Sequence, residues 1–370
     1  MSLTTIESKE QTPVGRPTMQ DVAAKAGVSI VTVSRVINNS PLVRSRLSEK
    51  VQAAIKELAY VAPAMEKRIK KGRVVTTWRT HQSIGLILAG VFDFKWISNH
   101  APVYSYVIQG IQDALRENNF GLVIHQVPKI EKLTSLPRHL RVDGLIFLSK
   151  SATNQWPEEL KQHPIITVMG ALLDKRCDHI SYDNTAVGHV AAEYFLAHGI
   201  NDVAVIYSQA GARDILAERA DVFARHIESE GGRALRLCRE EILRYGKDTH
   251  EMDESILREF ITQFAAQSPR PRGLFLTMDM MAPSVYRLLQ EQGLRPGHDV
   301  QVISCNNERP FLAGLDPRPA TIDIEAEKIG YRAVQQLLWR MQNRTDPYVK
   351  ILIEPSLKAG TSVPATEPTP

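Results

Sequence analysis

Hydrophobic residues follow two different periodicities along this chain. Near the N-terminus they recur every three or four positions, and this spacing predicts short amphipathic helices. From Ser83 onward, short unbroken apolar runs alternate with helical patterns, which predicts βα units in parallel sheets that are covered on both faces. About 280 residues is long for one such sheet. The predicted fold class is therefore α/β, with a three-helix headpiece and a two-lobed parallel α/β body.

The same patterns locate individual elements. The third helix of the headpiece is predicted from the stripe Val51, Ala54, Ile55 and Leu58. In the body, YSYVIQGIQDALRENNF predicts a helix between the first two strands. The predicted strands read SIGLILAG, GLVIHQV, VDGLIFLS, PIITVMG, VAVIYS, GLFLTMD and VQVISCN.

The N-terminal segment carries the start and stop signals of two short helices. Thr18, with Asp21 three residues later, predicts an N-cap with a capping box. Gly27 predicts the end of this helix, and Ser29 can cap the next one. Together with the third helix, these signals predict a helix-turn-helix headpiece around one small core.

The second helix is ambiguous from sequence alone. Residues 30–33 are β-branched throughout, a composition that favours a strand. We predict a helix because Val33, Val36 and Ile37 then continue the core stripe of the neighbouring helices. That choice places four side chains together on the opposite face: Ile30, Val31, Ser34 and Arg35.

Apolar side chains beside an arginine on an exposed helix face suit the major groove of DNA. Arg35 can form two hydrogen bonds with guanine O6 and N7, while Ile30 and Val31 contact thymine methyl groups. The alternative is that the helix pair mediates protein contacts only.

Charge is distributed unevenly along the chain. The net charge is +4, and counting residues 1–73 gives 13 Lys/Arg against 6 Asp/Glu, so this part carries +7 and the remainder −3. A basic head on a mildly acidic body fits a head that meets polyanions. A solvated basic tail is the alternative, and charge alone does not decide between them.

The headpiece sequence resembles a known family. PTMQDVAAKAGVSIVTVSRVINNSPLVRSRLSEKVQAAIKELAY is similar to the headpiece of the lactose-repressor (LacI) family of bacterial transcription regulators, and its DVA..AGVS..TVSRV..N core is highly specific. The resemblance implies that Ile30, Val31 and Arg35 face bases. It also implies a set of residues near phosphates, Thr18, Thr32, Ser34, Asn38 and Tyr60, and we add Ser29 to the predicted DNA-binding residues.

In that family a hinge helix follows the headpiece, folds on the operator and inserts a leucine into the minor groove. Here the segment reads YVAPAMEKRIKKGRVV, with Ile69 at the leucine position and Glu66 where alanine is usual. We predict that Ile69 contacts DNA, since isoleucine also serves as an intercalating side chain. The connection to the first strand is about seven residues longer than usual, and extra flexible residues should weaken coupling between body and head.

Similarity to the family continues through most of the body. SIGLI, GIQDAL, VDGLIF, DNTAVGHVAAEYFLAHG and TMDMMAPSVYRLLQEQGL resemble the type I periplasmic-binding-protein core that this family joins to its headpiece. In that fold the chain crosses between lobes three times, which we place near Ser181, Arg309 and Met341. The predicted domains are a disordered leader (1–16), the helix-turn-helix domain (17–62), a hinge and linker (63–82), an effector-binding and dimerisation domain (83–363) and a tail (364–370). Lobe 1 would comprise 83–181 and 310–340, and lobe 2 would comprise 182–309 and 341–363.

Ligands of open α/β sheets bind beyond the carboxyl ends of the strands. The loop VFDFKWISNHAPVYSY after the first strand has five aromatic residues, which suit the apolar faces of a sugar ring. The alternative is that most of them fill the lobe core. We select Phe92 and Tyr104 as effector contacts, the latter because APVYSYVIQGI resembles the NPFF..L..GI segment whose aromatics touch the effector in the family.

Two arginines are candidate effector clamps. Arg219 occupies the position of the family's effector-binding arginine, and a guanidinium can form two hydrogen bonds with paired hydroxyls or with a carboxylate. The alternative is a solvated charge on a helix. Arg213, one to two turns earlier, is a second candidate.

The remaining effector candidates follow predicted strands. Met278 replaces an asparagine of the family pattern, Asp279 is retained, and Asn306 replaces an aspartate. Ser149 ends the predicted strand VDGLIFLS and completes the set. The predicted pocket has fewer carboxylates than those of family members that bind monosaccharides. The identity of the effector therefore stays open: an acidic sugar, a sugar with an apolar substituent or another compound.

Other classes of protein lack support in the sequence. No HExxH, GxSxG, P-loop or GxGxxG pattern occurs, so we expect no enzyme, cofactor or metal site. The three cysteines are far apart, and no apolar run is long enough for a membrane helix. An exported sugar-binding protein would share the body but would carry a signal peptide in place of the headpiece. We expect a cytoplasmic homodimer, located at the nucleoid when bound, whose partners are palindromic operator DNA and a small-molecule effector.

Overall fold

The computed structural model describes residues 17–37, 45–58, 60, 81–89, 97, 101–127, 141–149, 160, 162–170, 177–208, 215–239, 243–245 and 250–361. The chain divides into two compact units, a head at Met1–Thr76 and a body at Thr77–Pro370. The predicted leader, hinge and tail lie outside the described residues, apart from the last two positions of the linker.

The head contains the three predicted helices: α1 (Met19–Ala26), α2 (Ile30–Ile37) and α3 (Ser45–Glu57). The capping box is confirmed, because Asp21 N donates to Thr18 Oγ1 at 3.3 Å and Thr18 N donates to the Asp21 carboxylate at 2.6 Å. Gly27 ends α1 in the left-handed conformation, with φ of 64°. These local signals are sufficient to fix the turn between the first two helices.

One small core joins the three helices of the head. Val22 and Val33 are fully buried, Val51 lies against them, and the partly buried Ile55 and Leu58 cover the edge. The prediction that residues 30–37 form a helix is therefore confirmed. Burial of Val33 among α1 and α3 outweighs the weak helix propensity of its β-branched neighbours.

Lobe 1 of the body is built on a parallel sheet whose strand order is β13-β5-β4-β3-β1-β2. Its central strands are mostly apolar and buried on both faces, as the unbroken runs predicted, with Thr167 as a buried polar member. The strands are β1 (Ser83–Ala89), β2 (Gly121–Val127), β3 (Gly144–Ser149), β4 (Ile165–Val168), β5 (Asp178–Tyr182) and β13 (Lys350–Ile353).

Lobe 2 is built on a second sheet, in the order β14-β12-β11-β10-β6-β7, parallel except for β14 at its edge. Its strands are β6 (Asp202–Ser208), β7 (Arg233–Arg239), β10 (Gly273–Leu276), β11 (Gln301–Cys305), β12 (Ala320–Asp323) and β14 (Ser356–Lys358). A separate antiparallel pair consists of β8 (Leu243–Tyr245) and β9 (His250–Met252).

Helices cover both sheets and complete the βα units. They are α4 (Val103–Glu117), α5 (Asn184–Ala197), α6 (Ile215–Ser229), α7 (Glu254–Ala265), α8 (Ala282–Glu291), α9 (Arg309–Leu312) and α10 (Ala326–Gln342). A short 3₁₀ helix spans Asp279–Met281. Of the helices within the described residues, none has the length and apolarity needed to cross a membrane.

The crossings between the lobes correct two predicted boundaries. The first lies between β5 and α5, beside the predicted Ser181. The second lies between β12 and α10 rather than near Arg309, because β12 still pairs with β11 in lobe 2. The third lies between β13 and β14 rather than near Met341, because β13 pairs with β5 in lobe 1. Lobe 1 therefore comprises 83–182 and 326–353, and residues 310–323 belong to lobe 2.

Candidate DNA-binding and effector sites

The second helix of the head presents two different faces, as predicted. Val33 and Val36 are buried in the core, whereas Ile30 is 41% exposed on the other side. Ser29 caps the helix, since its Oγ accepts from Thr32 N at 3.2 Å and lies 3.0 Å from the Thr32 hydroxyl. An exposed apolar side chain at the start of the second helix is compatible with contact to base edges in a major groove.

Other predicted DNA contacts have different surroundings. Thr18 is exposed and carries the capping box. Tyr60 is buried in the head core, so its ring also supports α1 to α3. The side chains of Val31, Ser34 and Arg35 and the residues Asn38 and Ile69 lie outside the described part of the head.

In the body, the carboxyl ends of the lobe 2 strands bring four buried polar side chains together. Arg219 comes from α6, Asp279 follows β10, and both Asn306 and Glu308 follow β11. Side-chain hydrogen bonds join Arg219 to Asn306 and Asn306 to Glu308, and the backbone N of Glu308 donates to Asp279. We call these residues the polar network; it lies where parallel α/β folds bind ligands.

Arg219 is only 1% exposed, so the alternative of a solvated helix charge is wrong. Its Nε donates to Asn184 Oδ1 at 3.0 Å. Its Nη1 has three acceptors, Thr277 O at 2.8 Å, Cys305 Sγ at 3.1 Å and Asn306 Oδ1 at 3.3 Å. The guanidinium also lies over the Tyr182 ring, 5.1 Å from its centre. These contacts fix the guanidinium in one orientation.

Asp279 is fully buried and accepts three hydrogen bonds. The donors are Ser304 Oγ at 2.5 Å, Thr321 Oγ1 at 2.8 Å and the backbone N of Glu308 at 2.6 Å. Burial raises the pKa of Asp279 to about 6, although all three donors oppose the shift. The carboxylate therefore ties the ends of β10, β11 and β12 together.

Glu308 is a buried carboxylate that the sequence analysis did not select. Its Oε2 accepts from Asn306 Nδ2, and its Oε1 accepts from the backbone N of Val103, both at 3.1 Å. Val103 is the first residue of α4, so Glu308 of lobe 2 binds the N-terminus of a lobe 1 helix. Burial, and then repulsion from Asp279, raise the pKa of Glu308 to about 8. Its position directly after a strand end is the signal that could have identified it.

The turn after β11 places the last members of the network. Asn306 and Asn307 both have positive φ, 110° and 57° respectively. Asparagine tolerates this region better than most residues, because its short side chain can hydrogen-bond locally. Asn307 Nδ2 donates instead to Asp323, sixteen residues further along the chain, at 2.9 Å. Two consecutive left-handed residues reverse the chain so that Glu308 turns back toward the strand ends.

The other predicted effector residues divide into three groups. Tyr104 is half-buried in the first turn of α4, next to the residue that contacts Glu308. Met278 is partly buried and packs against the core of lobe 2. Ser149 ends β3, but its side chain is outside the described part, as are Phe92 and Arg213 entirely.

Three further polar residues at the strand ends were missed. Asn184 follows β5 and holds Arg219, while Thr277 follows β10 and supplies the carbonyl that Arg219 binds. Ser208 ends β6 and is 1% exposed, and its hydroxyl has no hydrogen-bond partner among the described residues. A buried hydroxyl of this kind is suited to contact a bound polar molecule.

Comparisons with known proteins agree with this architecture. Residues 18–62 match the family described as bacterial regulatory proteins, lacI family, and residues 192–363 match a periplasmic binding protein-like domain. The chain is 27% identical over 356 residues to the HTH-type transcriptional repressor PurR of Erwinia tasmaniensis, covering 94% of this chain and 96% of that protein.

Two solved structures share the fold over nearly the whole chain. A complex of the transcriptional regulator CelR with cellobiose has a TM-score of 0.61 at 24% identity, covering 94% of this chain and 100% of that one. The lac repressor dimer bound to operator and the anti-inducer ONPF has a TM-score of 0.57 at 19% identity, covering 95% and 100%.

The match to the headpiece and the match to the body are those of a regulator rather than an enzyme. Both compact units are matched, the head by its helix-turn-helix and the body by its two lobes. Its head is that of the lacI family of bacterial regulatory proteins, joined to a periplasmic binding protein-like body.

Proposed function

We propose that this protein is an effector-controlled transcriptional repressor that binds a palindromic operator as a homodimer in the cytoplasm. Its effector is a sugar or a related small molecule that binds between the lobes of the body. The head supplies DNA recognition, and the body supplies the response to the effector.

The observation that carries this proposal is the pairing of two sites in one chain. Exposed Ile30 on α2 of the head, opposite a buried core face, supports contact with DNA bases. The polar network of the body, with Arg219 and Asp279 at the strand ends, supports binding of a small polar molecule. A repressor requires both, and a bare binding protein would require only the second.

Carbohydrate as the effector class is supported by a neighbour of the same fold, the CelR complex, which contains cellobiose. The half-buried Tyr104 beside the polar network supplies an aromatic side chain of the type that packs on sugar rings. The effector would control operator binding through closure of the lobes. A ligand shifts this equilibrium only by its differential affinity for the open and the closed state.

Footprinting on the promoters beside its own gene tests the proposal. We expect a protected inverted repeat, since two heads of a dimer read two half-sites. Arg35→Ala should lower operator affinity by about 1–3 kcal/mol and relax the preference at one base pair in each half-site.

Lys25→Ala provides the matched control in the head. Lys25 pairs with Glu57 at 2.6 Å, a contact between α1 and α3. An exposed pair of this kind contributes about 1 kcal/mol or less to stability, so the base preference should not change. An Arg35→Ala footprint identical to that of the parent would show that Arg35 reads no base.

A further inference from the structure

The polar network contains one more acidic group than basic groups. Arg219 is the positively charged member, and Asp279 and Glu308 are both carboxyl groups; all three are at most 2% exposed. Each carboxyl group accepts hydrogen bonds from N–H or O–H donors on both oxygens. An ionised carboxylate accepts in this way on both oxygens, whereas a protonated acid would also need an acceptor for its O–H. With both ionised, the network would carry a net charge of −1 on side chains that are at most 2% exposed.

Arg219 is poorly placed to bind an additional anion. A carboxylate is held best by two parallel N–H donors of one guanidinium. Here Nε is bound to Asn184, and Nη1 is bound to Thr277 O, Cys305 Sγ and Asn306. Of the Arg219 guanidinium nitrogens, Nη2 alone has no hydrogen-bond partner among the described residues. A two-pronged contact would therefore require breaking existing bonds.

Glu308 is the acidic group closest to the opposite lobe. Its Oε1 contacts the backbone N of Val103 in lobe 1, and Tyr104 follows that residue in the same helix. A ligand between the lobes beside Tyr104 would therefore lie near a buried carboxylate rather than near a free cation. Each Glu308 oxygen has one protein donor and retains capacity to accept another hydrogen bond.

We propose that Glu308 is a specificity-determining residue of the effector site, which selects a ligand with a cationic nitrogen, such as an amino sugar, over a ligand with a carboxylate. This inference rests on the proposed function and narrows its effector class. The ammonium group supplies the missing positive charge and donates to Glu308, and the hydroxyl groups of the ligand are left for Arg219 Nη2 and Ser208 Oγ. An acidic ligand would add a second uncompensated negative charge.

A proton can supply the missing charge when no ligand does. The charged and titratable groups that face Glu308 are Asp279, Arg219, Tyr106 and Cys305, with Arg309 beside them. Burial raises the pKa of Glu308 from 4.5 to about 8, so the folded protein holds this proton more tightly than the unfolded chain does. Stability associated with Glu308 is then present below about pH 4.5 and is lost as pH rises through about 8.

Matched ligands test the selection on the full-length protein. Thermal-shift measurements would compare glucosamine with glucose and glucuronate, and galactosamine with galactose and galacturonate, each at the same concentration. We expect an ammonium sugar to raise the Tm more than its hydroxyl and carboxylate counterparts. Two results would overturn the inference: a uronate that raises the Tm more than its ammonium counterpart does, or no increase in Tm with either ammonium sugar.

Glu308→Gln separates charge from shape. It keeps an acceptor for Val103 N but loses the acceptor for Asn306 Nδ2, so it should weaken binding of the ammonium sugar by about tenfold or more and that of the neutral sugar by clearly less. Equal weakening of both sugars would indicate a merely structural role for Glu308 and would contradict the proposal.

A ligand-free measurement completes the test. The Tm of Glu308→Gln minus that of the wild type should increase from about pH 5 to about pH 9, because the variant lacks the titrating carboxylate. Asp253→Asn, at the N-cap of α7 within lobe 2, is the control and should show a constant difference. A constant difference for Glu308→Gln as well would remove the charge argument.

Operator titration of the same samples distinguishes this inference from the proposed function. Operator binding that responds more strongly to an acidic sugar than to its ammonium counterpart would leave the repressor proposal standing and refute the role of Glu308. Loss of sequence-specific operator binding in the wild type would refute the repressor proposal itself.

Discussion

At the scale of single residues, Arg340 of α10 is the most completely bound cation in the described part of the body. Its Nε and Nη2 donate to the two oxygens of Asp178 at 2.9 and 2.8 Å, and its remaining N–H groups bind the carbonyls of Asn343, Asp346 and Pro347. The guanidinium lies 5.0 Å from the centres of the Trp339 and Tyr348 rings. All five donors are used, which meets the condition under which a buried ion pair is tolerated.

Removing one partner of this pair should be costly. Arg340→Met leaves Asp178 buried and unpaired, so we expect the free energy of unfolding to fall by about 3–5 kcal/mol in chemical denaturation. Adding Asp178→Asn to that variant should restore part of the loss, because the uncompensated charge is then removed.

A surface pair of the same type provides the control. Arg233 pairs with Asp202 at 2.9 Å, but the arginine side chain is 43% exposed. Arg233→Met should therefore cost about 1 kcal/mol or less. Equal losses for Arg340→Met and Arg233→Met would show that burial of the first pair has no energetic consequence.

At the scale of elements, α4 and α10 of lobe 1 pack with their backbones in contact. A Cβ added to Gly110 would lie 1.9 Å from Glu327 O, and one added to Gly330 would lie 2.0 Å from Val107 O. Neither overlap can be relieved by moving a side chain, since both oxygens belong to the backbone. The two glycines therefore set how closely these helices approach, and α10 carries Arg340 to its place beside β5.

Alanine at either glycine should destabilise lobe 1. Alanine is better than glycine in a helix by about 1 kcal/mol, but the steric overlap opposes this gain. We expect a net loss of about 1–3 kcal/mol for Gly110→Ala and for Gly330→Ala, measured by denaturant unfolding. Gly314→Ala, where an added Cβ meets no atom within 4 Å, is the control and should be nearly neutral. A neutral Gly110→Ala would mean that the helices separate at little cost.

At the scale of the whole molecule, the head and the body are separate compact units. Within the body, three chain crossings join two lobes that each have a sheet of their own. The contact of Glu308 with Val103 is a non-covalent connection between the lobes, made by side-chain chemistry at the strand ends. A bound ligand can alter this contact directly, whereas the covalent crossings remain in every state.

The assembly we predict is a dimer. Two half-sites of an inverted repeat need two heads, and symmetric pairs are the commonest assemblies of soluble proteins. Sedimentation equilibrium should give twice the mass of one chain, with and without operator. A mass near four chains would contradict the prediction and would require a second interface.

The interactions that the sequence predicted best are local. Thr18, Asp21, Gly27 and Ser29 act within four residues of their partners, so the capping box and the turn of the head follow from the order of residues alone. The unbroken apolar runs around Leu86 and Ile146 likewise require burial on both faces of a sheet. Family resemblance then placed Arg219, Asp279 and Asn306 at one site, and the structure brings these three side chains together.

Tertiary structure alone decided which lobe receives the last strands and that Glu308 joins the polar network. The strand segments ATID and KILI are too short to signal their sheet, and β12 and β13 join different lobes because their edges find β11 and β5. Glu308 and Val103 are 205 residues apart in sequence, so no periodicity relates them. Short-range patterns in the sequence predicted the helices of the head, seven of the strands and the family resemblance. The charge balance of the polar network depends on long-range contacts, because burial and neighbouring charges are properties of the folded chain.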